Sequence, residues 1–154
     1  MREMLEESKG ELKRADHLIY VSLKYTRTVD VIKSIIERLI NAFNNGILVL
    51  LTYAEEKHMI TSYPESPVQR CSMLKHVFKE QEDIPGYTEF YLFLRKLSRA
   101  EYTSHREYRR HVTMVAKVDG KEINVDIDTI HQYYEKAKAF VVFIEGLIGA
   151  ETHD

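Results

Sequence analysis

The chain has 154 residues, of which 44% are apolar and 30% are charged, and its net charge is −2. This balance excludes a disordered tail, and the length suits a single domain, residues 1–154, that can bury a core without metal or disulfide staples. The single cysteine, Cys71, cannot form an internal disulfide, so we expect a cytoplasmic protein. Residues 2–7 are too charged for a signal peptide, and the most apolar windows are shorter than a membrane span of roughly 20 residues, so no membrane span is expected.

The first predicted helix carries one apolar stripe, with Glu, Lys and Arg on its other side. Its stripe residues are Leu5, Leu12, Ala15, Ile19 and Leu23. Thr26 or Thr28, followed by Asp30, supplies a cap and an acidic first turn for the next helix. Because the link is so short, the first two helices are predicted to be antiparallel neighbours.

The second predicted helix spans residues 28–58, and we expect it to organise the fold. Its apolar residues recur at steps of three and four for about seven helical turns. They are Val29, Ile32, Ile36, Leu39, Phe43, Ile47, Leu50 and Ala54. A turn at Asn44, Asn45 and Gly46 is the competing interpretation, but the stripe crosses these residues without a phase slip.

Two shorter helices are predicted in the middle of the chain. Ser66 opens a capping box that ends at Gln69, with proline at the first helical position, and residues 83–86 end this third helix. The fourth helix begins at Tyr87. Its apolar stripe thins after Leu97, so residues 98–111 are predicted to extend the helix past the core or towards a partner.

Residues 112–127 change to a period of two, which predicts a small β-hairpin around an Asp119-Gly120 turn. A two-residue turn places three apolar pairs on one face: Ala116 with Ile123, Met114 with Val125, and Val112 with Ile127. A fourth helix that continues to Val118 is the alternative.

A final helix is predicted from Asp128, as its cap, to a stop near Gly149. Its stripe consists of Ile130, Tyr134, Ala137, Val141, Ile144 and Ile148. The fold class predicted from these segments is all-α: an up-and-down bundle of four to five helices with a small hairpin.

Charge is most uneven in residues 95–117, where seven positive side chains stand against two negative ones. Basic side chains interleaved with tyrosines can contact phosphates and stack on bases, as a surface for single-stranded nucleic acid requires. The predicted nucleic-acid contacts are Arg95, Lys96, Arg99, Tyr102, Tyr108, Arg109 and Arg110. The alternatives are a solvated helix face and a basic contact for an acidic protein surface.

Arg106, Glu107, Tyr108, Arg109, Arg110 and His111 form a sequence that resembles the Arg, four-to-six residues, His motif of HEPN domains. These domains are all-α bundles that often dimerise, and many are metal-independent ribonucleases. The resemblance implies that Arg106 and His111 of two protomers line a shared cleft, with His111 in proton transfer and Arg106 on phosphate. Neutral imidazole can accept a 2′-hydroxyl proton, and guanidinium can stabilise the negative charge of a phosphorane.

Other chemistry has less support in the sequence. Glu55 and His58 have the Glu-x-x-His spacing of di-iron bundles, but the second pair that such a site needs is missing, so no metal or cofactor is expected. Cys71 falls on an apolar stripe and is interpreted as a buried, inert thiol.

The last predicted helix carries more apolar surface than one stripe requires, which predicts a homodimer. The extra residues, to one side of its main face, are Phe140, Phe143 and Leu147. The leading functional hypothesis is therefore a dimeric binding protein whose basic segment meets RNA or an acidic protein. The runner-up is an HEPN-like ribonuclease that uses Arg106 and His111.

Overall fold

The computed structural model describes residues 1–152, with side chains to residue 149, and these residues form a mostly helical fold with one small sheet. The helices are α1 (Arg2–His17), α2 (Leu23–Tyr25), α3 (Val29–Glu56), α4 (Pro67–Val77), α5 (Ile84–Arg99) and α6 (Ile127–Thr152). A π-helical turn, Leu18–Ser22, joins α1 to α2. The strands are β1 (Tyr102–His105), β2 (Thr113–Val118) and β3 (Lys121–Val125). The prediction of a mostly helical fold is confirmed, but the three-stranded sheet means that the fold is not purely α.

Helix α3 is continuous and lies at the centre of the fold, as predicted. Thr28 caps it by accepting a hydrogen bond from Val31 N at 3.4 Å. The predicted breaker lies inside the helix, where Asn45 Nδ2 donates to Asn41 O at 3.0 Å, so the alternative turn is wrong. By length and composition α3 could cross a membrane, contrary to the sequence-based expectation. However, 61% of its most apolar 18-residue segment is buried inside the protein.

The end of α3 corrects its predicted boundary at His58. This residue lies outside the helix in the left-handed region, with φ 59°. His58 N donates to Glu55 O at 3.1 Å, and Met59 N donates to Ala54 O at 2.9 Å. These two bonds are the pattern of a Schellman motif, which ends a helix by satisfying its last carbonyls. Glu55 and His58 therefore do not share a helical face.

Neighbouring helices pack on α3 in the predicted antiparallel manner. Ser8 Oγ of α1 donates to Ala42 O of α3 at 2.7 Å. Glu11, about one turn after Ser8, forms an ion pair with Arg38, about one turn before Ala42, so the two helices run in opposite directions. Helix α5 also runs antiparallel to α3, since Tyr91 bonds Asn44 and Ser98 bonds Glu37.

Helices α4 and α5 begin with proline in the first turn. The predicted cap of α4 is confirmed, because Ser66 Oγ accepts from Gln69 N at 3.4 Å. Helix α5 begins at Ile84 instead of Tyr87 and ends at Arg99, so residues 98–111 do not extend it. The chain turns at Ala100, which is extended with ψ 153°, and then enters β1.

The predicted hairpin is confirmed in strands β2 and β3. Ala116 pairs with Ile123, and Met114 pairs with Val125, in the predicted register. Asp119 and Gly120 form the turn with φ 51° and 78°, the positive values of a type I′ turn. The third predicted pair is wrong, because β3 ends at Val125 and Ile127 begins α6. Strand β1, which was not predicted, pairs antiparallel with β2 and forms one edge of the sheet.

Helix α6 differs from the prediction at both ends. Asp126, rather than Asp128, caps it by accepting from Thr129 N at 2.8 Å. The helix passes Gly149 and continues to Thr152. Phe140 is buried and stacks on Phe43 with ring centroids 4.7 Å apart, and Phe143 lies 5.5 Å from the ring of Tyr87. Much of the apolar surface that predicted a dimer is therefore packed within the chain.

Candidate nucleic-acid interface

The structure divides the predicted basic residues between two places. Arg95, Lys96 and Arg99 lie on α5, where Arg95 covers the ring of Tyr91 at 5.8 Å. Lys96 Nζ forms an ion pair with Asp119 Oδ2 at 2.8 Å, beside the hairpin turn. The remaining arginines follow β1, at the opposite end of β2. At about 3.4 Å per residue, the six-residue β2 separates the two groups by roughly 17 Å.

The second group lies in the loop of residues 106–111, which we call the basic loop. Two turns shape it: Arg109 N donates to Arg106 O at 3.2 Å, and Val112 N donates to Arg109 O at 3.1 Å. Arg106 and Tyr108 have φ of 54° and 64°, a left-handed conformation that costs free energy in non-glycine residues. Tyr108 N also donates to Arg27 O at 2.6 Å, which ties the loop to the link between α2 and α3.

A cavity of about 290 Å³ lies between the basic loop, Arg27 and the first turn of α6. Its lining residues are Arg27, Arg110, His111, Asp126, Ile127 and Asp128. Arg106 is not among them, so the two residues of the Arg-His motif do not share this cavity. The motif also lies in a loop rather than on a helix.

Arg27 and Arg110 are balanced in formal charge by Asp126 and Asp128 of the same lining, but the direct pairing of the arginines is incomplete. Arg27 Nε is buried and has no hydrogen-bond partner among residues 1–152. Within the same described part of the chain, Arg106, Arg109 and Arg110 take part in no ion pair. Asp126 already accepts the capping bond of α6. A buried guanidinium N–H without an acceptor is rare in proteins, and a bound water or ion is its usual partner.

Exposed tyrosines lie on both sides of the anchoring bond. Tyr108 is 76% exposed on the loop, and Tyr25 is 79% exposed two residues before Arg27. Tyr102 on β1 is 39% exposed, with Lys33 Nζ 4.4 Å from its ring centroid. Sequence reasoning missed Tyr25, Arg27 and Lys33. The alternation of basic and aromatic residues at positions 24–27 is the signal that could have identified the first two.

His111 is exposed and lines the cavity together with Arg110, its neighbour in the chain, and Arg27. The arrangement can hold a phosphate between two guanidiniums while the imidazole accepts or donates a proton. Comparison of the chain with protein-family models found no match, and comparisons with curated proteins and with solved structures found no significant match.

Proposed function

We propose that this protein binds single-stranded RNA through the basic loop and the α2–α3 link. The observation that carries the proposal is that Arg27 and Arg110 line one cavity together with His111. Arg27 Nε, a buried atom, also has no hydrogen-bond partner among the described residues. Phosphate oxygens are the acceptors that guanidinium groups pair with best, because both can form two parallel hydrogen bonds.

The exposed aromatic rings extend the proposed site beyond phosphate binding. An exposed tyrosine offers a flat face on which any base can stack, and such stacking contributes about 1–3 kcal/mol per base. Tyr108 and Tyr25 flank the bond between Tyr108 N and Arg27 O. Single strands are the substrate that this chemistry favours, because their bases are free to leave the stack.

Fluorescence anisotropy with labelled single-stranded RNA, across a range of salt concentrations, tests the proposal. We expect Arg110→Ala to weaken binding and to reduce the slope of log K against log salt by about 1, because one phosphate contact is lost. Tyr108→Asn should weaken binding by about tenfold without changing the slope, since Asn tolerates the left-handed backbone but removes the ring.

Arg2→Ala is the matched control, because Arg2 is an exposed arginine on α1, a helix that contributes no residue to the cavity. It should bind RNA like the parent protein. Equal binding by all the variants would contradict the proposed site. The absence of RNA binding at low salt would overturn the proposal and would favour an acidic protein as the partner of the basic loop.

A second candidate function is RNA cleavage, and the position of His111 in the cavity with two arginines favours it. In this reaction His111 takes the proton of a ribose 2′-hydroxyl, and the 2′ oxygen attacks the adjacent phosphorus. The bond to the 5′ oxygen breaks, a 2′,3′-cyclic phosphate forms, and the leaving oxygen takes a proton from water. The HEPN resemblance assigns phosphate binding to Arg106, whereas the cavity favours Arg110 and Arg27 for that role.

Incubation of the protein with end-labelled RNA in excess chelator tests this second function. The parent protein should release fragments with cyclic phosphate ends, and His111→Ala should release none while still retaining RNA at low salt. His76→Ala, an exposed histidine on α4, is the control and should cleave like the parent. Cleavage that survives His111→Ala would exclude His111 as the base, and intact RNA would leave a binding protein.

A further inference from the structure

A second basic cavity, of about 370 Å³, lies between α1 and α3. Its lining residues are Lys13, Arg14, His17, Leu18 and Arg38. We call it the α1–α3 cavity. None of these residues lines the cavity of the basic loop, so its chemistry is independent of the RNA-binding proposal.

Glu11 positions both arginines of the α1–α3 cavity. Its side chain is only 10% exposed and accepts hydrogen bonds from two helices. Oε1 accepts from Arg14 Nη1 of α1 at 3.1 Å, and Arg38 Nη1 of α3 donates to Oε2 at 3.3 Å and to Oε1 at 3.5 Å. A guanidinium group has five N–H donors, and each of these bonds uses one nitrogen. The buried carboxylate therefore orients the two guanidinium groups and leaves most of their donors available.

The cavity carries more positive charge than Glu11 can balance. Lys13, Arg14 and Arg38 give three positive charges against one carboxylate, which leaves +2 with His17 neutral. Lys13 and His17 form no ion pair among residues 1–152. Asp16 contacts Tyr134 and lines the groove between α1 and α6, which Lys13 also lines, but it does not line the α1–α3 cavity.

The π-helical turn begins at Leu18, which is also a lining residue. Leu18 N is shared between the carbonyls of Ala15 and Arg14, and Leu23 N donates back to Leu18 O. Such turns are rare and occur frequently at functional sites. Leu18 and the alkyl stems of the basic residues give the cavity apolar walls beside its charged groups.

We propose that the α1–α3 cavity binds a phosphate monoester. Such a group carries about −1.5 to −2 charge at pH 7 and three acceptor oxygens, which matches the uncompensated charge of the cavity. Arg14 and Arg38 supply preorganised donors, and Lys13 and His17 supply two more cationic or polar groups. The volume exceeds that of a phosphate group alone, so an organic portion of the ligand fits against Leu18.

Isothermal titration with inorganic phosphate and with phenyl phosphate, at constant ionic strength, tests this site. The diagnostic variant is Lys13→Ala combined with His17→Ala, because neither residue pairs with Glu11 and the Glu11–arginine bonds are kept. The matched control is Lys75→Ala with His76→Ala, an exposed lysine and histidine on α4. We expect the first variant to bind phenyl phosphate about tenfold more weakly and the control to bind like the parent protein.

A competition experiment identifies the source of the phosphate. If a 5′-hydroxyl oligonucleotide displaces phenyl phosphate from the parent protein, the cavity accepts backbone phosphates of nucleic acid. If it does not, the ligand is a free monoester, as proposed, whereas displacement would overturn the assignment to a monoester. Equal affinity in the parent, the variant and the control, or no binding of either probe, would overturn the proposal.

Discussion

Gly46 is a residue whose lack of a side chain is required by packing. A glycine inside a helix normally costs about 1 kcal/mol relative to alanine. A Cβ atom at this position, however, would lie 2.7 Å from Phe140 Cε2 and 2.8 Å from Ile144 Cδ1, both of which belong to buried side chains. The close approach of α3 and α6 therefore requires glycine at this position.

We predict that Gly46→Ala lowers the free energy of unfolding by about 1–3 kcal/mol, because overpacking outweighs the gain in helix propensity. Gly146→Ala on α6 is the control, since a Cβ there would meet nothing within 4 Å. It should raise the free energy of unfolding by up to about 1 kcal/mol. Urea denaturation measures both, and similar gains for the two variants would contradict the packing argument.

Cys71 is buried, and this burial raises the pKa of its thiol to about 11. The thiolate is the reactive form, so we predict very slow reaction with Ellman's reagent at pH 8 in the folded protein and rapid reaction in urea. Because the folded pKa lies above the ordinary thiol pKa of 9.0, the contribution of the neutral thiol to stability is present below pH 9 and is lost as the pH rises towards 11. Fast reaction in the native state would show that the thiol is accessible.

At the scale of the element, the end of α3 depends on His58 in a left-handed conformation. Glycine adopts this conformation without the steric cost of a Cβ atom. We predict that His58→Gly raises the free energy of unfolding by about 0.5–1 kcal/mol. His58→Ala keeps the Cβ atom and should change stability little. A loss of stability in His58→Gly would mean that the imidazole makes a favourable contact at this helix end.

The two aspartates at the start of α6 have different roles although they are two residues apart. Asp126 accepts the capping bond, whereas Asp128 lies in the first turn and is exposed. We predict that Asp126→Ala lowers the free energy of unfolding by about 1 kcal/mol through loss of the cap. Asp128→Ala should cost a few tenths of a kcal/mol through the helix dipole. Thermal unfolding measures both variants, and an equal loss of stability in the two would contradict the assignment of the cap to Asp126 alone.

The sheet shows which elements were predictable from sequence. Strands β2 and β3 carry alternating apolar residues around an Asp-Gly turn, and both signals are local. Strand β1 has no such alternation, because all four of its residues are exposed at the sheet edge. Its conformation depends on pairing with β2, which no short stretch of sequence encodes. The basic loop that follows β1 was for this reason assigned to a helix.

At the scale of the whole molecule, a homodimer stays a prediction. Phe140 packs within the chain, but Val142 of α6 is 65% exposed, and Tyr20 and Val21 are exposed on the π-helical turn. We expect light scattering at micromolar concentration to give twice the 18.1 kDa mass of one chain. Val142→Lys should dissociate the dimer without unfolding the monomer, since the side chain is already solvated. A monomeric parent protein would contradict the prediction.

The sequence by itself determined the long central helix, the cap at Ser66, and the register of the hairpin. Each of these depends on residues close together in the chain, through helical periodicity, side-chain capping or turn chemistry. Only the tertiary structure decided which charged groups meet. Glu11 pairs with Arg38 across 27 positions, and Arg27 shares a cavity with His111 from a distant part of the chain. Such contacts follow from how helices and strands pack, and no local pattern of residues specifies them.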